Sequence, residues 1–303
     1  SELNMQAVIQ KKSILGSVVE SVFDTDTANF WLQKLNPIWS VNQSLGRIIQ
    51  KNQTAVDTVS LKIQVNKKFK MGHAGQHHPV IIENNGRRYE RTYSLTQIDP
   101  EHVLLTAKKV NTGVVSTWLC EKAQVGDVLE FGLPCGDMLN SKELSPLLLL
   151  AAGSGITPMY SLIMAMVQSK QIETKAVTLM YWVKKQEDVV FSAEFEQWAT
   201  QYPKFKLHLF YTQEIEADER INPKHLAQIE SIENTTVYAC GPSAEIDRAC
   251  KPYAGGYRCC PQRCGIHDRG IPPAGGNQCL WPPAGRRGKT DTSRPDDPCQ
   301  SEQ

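Results

Sequence analysis

Apolar and polar residues alternate in the first half of the chain and come in solid blocks in the second. From Leu45 to Leu133 the period is two. Val59, Leu61, Ile63 and Val65 are separated by polar side chains, as a strand with one face in a core requires. Val103, Leu105 and Ala107 repeat the pattern, and Asp127 to Leu133 gives a further strand. Val80 to Ile82 leads through Asn84-Asn85-Gly86 into a strand from Arg87 that ends at Ser94. Asn-Gly between two strand-like runs favours a tight hairpin, because both residues tolerate positive φ. One helical segment, from about Gly113 to Lys122, interrupts the alternation. Several short antiparallel strands with turn signals predict a small, Greek-key-like antiparallel β-barrel or a sandwich.

From Pro146 the pattern changes. PLLLLAA reads as a strand buried on both faces and too short to span a bilayer. Gly153, Ser154 and Gly155 turn the chain, and Ile156 to Lys170 has helical spacing. Strands follow at Ala176–Val183, Phe205–Tyr211 and Thr236–Cys240, with helices at Phe191–Gln201 and Pro223–Ile229 between them. This alternation predicts an α/β domain with a parallel sheet, whose ligands sit beyond the carboxyl ends of the strands. The glycine turn after Leu150, the residues after Val183 and Cys240-Gly241-Pro242 all fall at that edge. The domain expectation is an N-terminal arm over 1–42, a barrel over 43–141, an α/β domain over 142–250 and a tail over 251–303. In the arm, a helix around Ala28 to Leu35 carries Trp31, and Trp39 follows; both are expected to anchor the arm by packing onto a domain.

Charge and cysteine content narrow the function. The chain has 33 Lys+Arg against 32 Asp+Glu, which argues against nucleic acid as a partner. Residues 251–303 hold 8 of those basic and 5 of those acidic side chains, so the body is slightly acidic. No basic segment followed by an apolar core opens the sequence, and a soluble, cytoplasmic protein with no membrane span is expected. Only Cys120, Cys135 and Cys240 precede residue 250, as in a reduced intracellular protein.

A strand, a glycine turn and a helix start form a phosphate cradle: glycines allow close backbone approach, and unpaired N–H groups attract an anion. Gly153-Ser154-Gly155-Ile156-Thr157-Pro158 has this form, and Gly113 with Ser116 makes a second candidate, offering free N–H groups and a hydroxyl at a helix start. In chain order, Arg91-Thr92-Tyr93-Ser94, Gly113 to Thr117, Gly153 to Pro158 and Cys240-Gly241-Pro242 together resemble the ferredoxin–NADP reductase family, particularly reductases of flavodoxins and oxygenases with a barrel flavin domain. The resemblance spans roughly residues 43–248.

That resemblance implies FAD in the barrel domain and NADP(H) in the α/β domain. Tyr93 would stack on the flavin, Ser94 would hydrogen-bond near the reacting nitrogen and Arg91 would pair with the pyrophosphate, for which its planar fork suits better than lysine. Thr92, Val110, Gly113, Ser116 and Thr117 would complete the flavin contacts. Gly75-Gln76-His77 resembles the family element entering the flavin pocket, although His77 and His78 read as plain surface histidines. Gly153 to Pro158 would hold the second pyrophosphate, with Thr157, Cys240, Gly241 and Pro242 near the nicotinamide. Lys184, Lys185 and Arg220 would receive a 2′-phosphate. The implied function is a reductase passing electrons from NADPH through FAD to an iron–sulfur protein or an oxygenase or desaturase component.

Residues 251–303 depart from the family. Their only Ile, Leu, Val or Phe residues are Ile266, Ile271 and Leu280, too few to offset chain entropy, so disorder is expected. Cys259 and Cys264 have the first spacing of a plant-type iron–sulfur run, but the next position is His267. Cys259, Cys260, Cys264 and His267 lack regular zinc spacing, and no metal site is assigned. A reading-frame change near residue 249 is the expected origin of this shift in composition. Two alternatives follow: a flavin-binding protein with impaired turnover, or a metal-binding interaction module built on the cysteine-rich tail.

Overall fold

The computed structural model describes residues 25–139, 145–213, 225 and 235–241. The chain opens with helix α1 (Thr25–Leu35), then strands β1 (Leu45–Ala55), β2 (Thr58–Val65), β3 (His77–Asn84), β4 (Arg87–Asp99) and β5 (His102–Lys108). A helical turn, α2 (Val114–Thr117), runs into a π turn at Trp118–Lys122 before β6 (Val128–Phe131). The second half holds β7 (Leu147–Ala152), α3 (Ile156–Gln168), β8 (Val177–Val183), α4 (Ser192–Gln201), β9 (Phe205–Tyr211) and β10 (Thr236–Cys240).

The first six strands close into a barrel in the order β1-β2-β5-β4-β3-β6. Ile48, Leu61, Ile63, Val80, Leu95 and Leu105 fill it. The hairpin turn is as expected: Asn84 pairs with Arg87, and Asn85 and Gly86 take φ of 55° and 71°. The remaining four strands form a parallel sheet ordered β10-β7-β8-β9. All six residues of β7 are buried, as the leucine run requires. On one face α3 and α4 contribute Ile156, Ile163 and Phe195 to a core with Leu149, Leu179 and Tyr181. Of the helix expected over Pro223–Ile229, only His225 is described; it is helical and lies 4.5 Å from the Phe210 ring on the opposite face. The expectations for the tail, including its disorder and the reading-frame change, lie outside the described residues.

Three local expectations are corrected. Trp31 and Trp39 do not pack the arm down, being 63% and 51% exposed. Asn29 does that work instead: buried, it donates to Asn42 Oδ1 at 2.9 Å and accepts from Ser40 Oγ at 3.0 Å and Val41 N at 2.8 Å. A buried amide satisfied on both ends fixes a loop more sharply than a ring on a surface. β4 does not end at Ser94 but continues to Asp99, because Leu95 is a core residue and its neighbours pair with β5. His78 is not a surface residue; it is 1% exposed, stacked on Phe69, accepting from Gly72 N at 3.2 Å and donating to Gly132 O at 3.3 Å.

Candidate functional site between barrel and sheet

The barrel's side of the site follows from register. Arg87 to Ser94 of β4 pair with β3, and Leu95 to Asp99 pair with β5. β5 pairs with β4 only through Leu105, whereas its last residues, Thr106 to Lys108, pair with β2 alone. Among the described strands, then, Arg91–Ser94 have one paired edge and one open edge. Open backbone donors and acceptors must meet water or a ligand. Tyr93 is half-buried and Ser94 buried, while Arg91 and Thr92 are exposed. Among the described residues, Arg91 Nη1 donates only to the neighbouring Glu90 carbonyl, at 2.7 Å, so the described fold does not tie the guanidinium down.

The expected second anion site is organised differently from the sequence reading. The Ser116 hydroxyl accepts from Val110 N at 3.2 Å and donates to Gly113 O at 3.3 Å, and Gly113 N donates to Val110 O at 3.0 Å. Neither is a free donor; both shape the Val110–Thr117 loop. Gln76 is similarly committed, donating to Gly136 O at 2.9 Å and accepting from His73 N at 2.8 Å. Gly75, at φ +92°, lets this loop touch α3, since a Cβ there would meet Met138 O and, at 3.1 Å, Leu162.

On the sheet side, glycines define the site. β7 and β10 are neighbours although they are the first and last strands of the sheet, so the chain's winding reverses between them. Ligands of open α/β sheets bind at such a point. Gly153 takes φ +54°. A Cβ on Gly155 would collide with the Cys240 carbonyl and come within 2.7 Å of Gly241 N, and one on Gly241 would come within 2.7 Å of Ala152 Cβ. The two strand ends thus press together without side chains. Gly153–Gly155 form a 3-10 turn ahead of α3, and Ile156 N donates back to Gly153 O and Ser154 O. The first unpaired N–H groups are therefore those of the turn itself rather than of α3. Thr157 Oγ1 donates to Ser154 O at 3.2 Å.

A cavity of about 210 Å³ joins the two sides. Gly153, Ser154, Ile156, Thr157 and Lys184 of the expected residues line it. Ser94, Tyr93, Gly155 and Cys240 do not; Cys240 is fully buried in the α/β core, so its thiol packs rather than faces the cavity. Lys185 is exposed, 3.9 Å from Glu187. Arg220 and Pro242 lie outside the described residues. Sequence reasoning missed Thr58, Thr106, Lys108, Asp188 and Thr212. One signal was available: Leu104, Thr106 and Lys108 occupy the outward positions of β5, yet Leu104 packs against the α/β core and Thr106 is buried.

The walls are electrostatically tuned. Burial pushes the Tyr181 hydroxyl well above its ordinary range, and the Asp188 charge adds to that rise, so the phenol stays neutral. Lys108 Nζ reaches Asp188 Oδ1 at 3.1 Å, with side chains 31% and 13% exposed. Lys184 is the other cation of the lining. The residues present fit a flavin and a pyridine nucleotide: an open strand edge and a gap on one side, a glycine-flanked turn with unpaired N–H groups on the other, and a cavity lined from both domains.

Comparison with known proteins agrees. Residues 46–139 match the profile of the oxidoreductase FAD-binding domain, and residues 149–251 that of the oxidoreductase NAD-binding domain. The chain is 28% identical over 232 residues to an NADPH oxidoreductase of Mycobacterium tuberculosis, covering 74% of this chain and 60% of that protein. It is 34% identical over 116 residues to the ferredoxin reductase component of a 3-ketosteroid-9-alpha-monooxygenase from Mycolicibacterium smegmatis, covering 37% of this chain and 32% of that one. It thus spans 60% or less of these two relatives. In fold it is similar to the flavohem-like FAD/NAD-binding domain of nitric oxide dioxygenase from Vibrio cholerae, with a TM-score of 0.62 and 23% identity, covering 69% of this chain and 92% of that one.

Proposed function

Because this chain belongs to the FAD- and NAD(P)-binding oxidoreductases of ferredoxin–NADP reductase-like type, we propose that it takes electrons from NADPH and delivers them to an iron–sulfur protein or an oxygenase or desaturase component. The observation that carries this reading is the cavity bordered by the end of β5 and by the glycine turn after β7. FAD and NADPH, when bound, supply the redox chemistry, and the chain supplies binding, orientation and exclusion of water.

Each residue then has a task. Tyr93 covers one face of a flat ligand and keeps water from it. Ser94 offers a hydroxyl at the point where β4 changes partners, and Thr92 continues the open edge. Arg91, not engaged by the fold, is available to a pyrophosphate. The loop from Val110 through Gly113, Ser116 and Thr117 borders that phosphate, shaped by its own internal hydrogen bonds. On the sheet side, the turn Gly153–Gly155 receives the second pyrophosphate, while Thr157 and Lys184 face the remainder of the nucleotide. The preference for NADPH rests on Lys184 and Lys185 and on the similarity to a relative named NADPH oxidoreductase. The acceptor class rests on the similarity to a ferredoxin reductase component of a monooxygenase.

Arg91→Ala tests the flavin assignment. Losing a charge-assisted hydrogen bond of this kind costs on the order of 1.5–3 kcal/mol of binding, while the fold loses nothing it relies on. Flavin content after gel filtration should fall sharply at an unchanged melting temperature. Equal flavin in both proteins overturns the assignment.

A further inference from the structure

The barrel and the α/β domain meet along a seam. Ser161 Oγ of α3 donates to Leu95 O at 3.0 Å, with both residues buried. Gln168 Nε2 donates to Gln97 O at 3.1 Å and to Ile98 O at 3.3 Å. Gly75 brings the β2–β3 loop against Leu162. These contacts all join α3 to the barrel, and none of their residues lines the cavity. The contact at the cavity is of another kind. Lys108 is the last residue of β5, on the lip of the gap in the barrel, and Asp188 closes the turn Gln186–Asp188 that follows β8. Their ion pair crosses the seam at 3.1 Å with the carboxylate nearly buried.

A long, flexible lysine is held by one partner on a different domain, so the bond's strength depends on the distance between domains. Asp188 is fixed from its own side by the backbone turn in which Asp188 N donates to Lys185 O at 3.0 Å. Breaking the pair leaves a charge in a partly desolvated site, which is costly and favours a closed arrangement. We propose that Lys108 and Asp188 form a latch that holds the two domains together across the cavity and so sets the distance between whatever occupies the barrel gap and whatever occupies the glycine turn. Both are positioning residues, acting through the separation of the domains. For its consequence on turnover, the latch rests on the function proposed above; for its effect on the seam, it does not.

The test uses Lys108→Met, Asp188→Asn and the exchanged pair Lys108→Asp/Asp188→Lys in the full chain. Hydrogen exchange is read first, without any nucleotide. Both single variants should exchange at least fivefold faster than wild type at amides of 106–110 and 186–190, with β3 and β6 unchanged, and the exchanged pair should return towards wild type. Stopped-flow reduction of bound flavin by NADPH is read second. The limiting rate should fall about tenfold in each single variant, with flavin content within twofold of wild type, and the exchanged pair should recover most of it. Unchanged exchange in the single variants, or an exchanged pair as impaired as both singles together, overturns the latch. Faster exchange in the singles with recovery in the exchanged pair, but no reduction of flavin in any protein including wild type, supports the latch and overturns the functional reading instead.

Discussion

The two halves of the candidate site are made by different means. In the α/β domain the site is local. Gly153, Gly155 and Gly241 remove side chains where β7 and β10 converge, and each glycine answers to a specific φ or a specific collision. In the barrel the site is a consequence of pairing. β4 has β3 beside it up to Ser94 and β5 beside it from Leu95, and the gap is what the change of partner leaves behind. A glycine turn can be destroyed by one methyl group. A register gap cannot, because no single side chain makes it.

The sharpest way to break that comparison is Gly155→Ala. The added methyl would meet the backbone of Cys240 and Gly241, which cannot rotate away as a side chain can. Forced overpacking of this kind costs typically 1–3 kcal/mol and occasionally more, and here about 4 kcal/mol is expected. Urea unfolding should show the loss in the α/β domain, with flavin retained by the barrel. An unchanged midpoint would mean that the two strand ends do not meet as described.

Acid titration probes the barrel in turn. Burial holds the His78 imidazole neutral by lowering its pKa from 6.5 to about 4, its backbone bond to Gly132 opposing that and His77 adding to it. The folded barrel therefore binds fewer protons than the unfolded chain between these values. Its stability is full above about pH 6.5 and falls as pH drops to about 4, by on the order of 3 kcal/mol in all. Burial, and then Lys206, lowers the pKa of His208 in the sheet, but that side chain is less enclosed and should contribute less. His78→Gln should flatten the profile of the barrel, and a profile identical to wild type would remove His78 as its cause.

The smallest effect concerns coenzyme choice. Lys184 lines the cavity while Lys185 leans towards Glu187. Lys184→Ala should raise the KM for NADPH roughly fivefold, equivalent to about 1 kcal/mol, with little change for NADH. Lys185→Ala should do less. Parallel changes for both coenzymes would show that neither lysine reads the phosphate.

Much of this was legible in the sequence, for reasons tied to particular residues. The Asn85-Gly86 turn, the leucine run of β7 and the strand Thr236–Cys240 each have a local signature that tertiary structure did not override. β1 was harder, because its second half is polar and irregularities between Ile48 and Gln50 and between Gln53 and Ala55 break the alternation. The length of β4 was misread because Arg91-Thr92-Tyr93-Ser94 looks like a terminus, while Leu95 is committed to the core and carries the strand onward. Lys108 and Asp188 lie 80 positions apart, and nothing in either neighbourhood announces the other. The arm was misjudged for a physical reason: aromatic content predicts burial on average, but Asn29 found acceptors and donors in the loop that follows, and the rings did not need to pack.

The position of β10 bears on how the chain is made. β7 is complete at Ala152, but its second neighbour is Thr236–Cys240, more than eighty residues later in synthesis. β8 covers one edge of β7 early, through a short crossover. Until β10 arrives, the other edge presents unpaired peptide groups along an uninterrupted apolar strand, the type of surface on which nascent chains pair with one another. The barrel has emerged in full by then, and its hairpins, β3 with β4 and β4 with β5, are local pairings that form early. A ribosome carrying this message therefore passes through a long interval with every barrel strand made and the other domain exposing an edge of β7, and the interval closes only when the segment ending in Cys240-Gly241 leaves the tunnel.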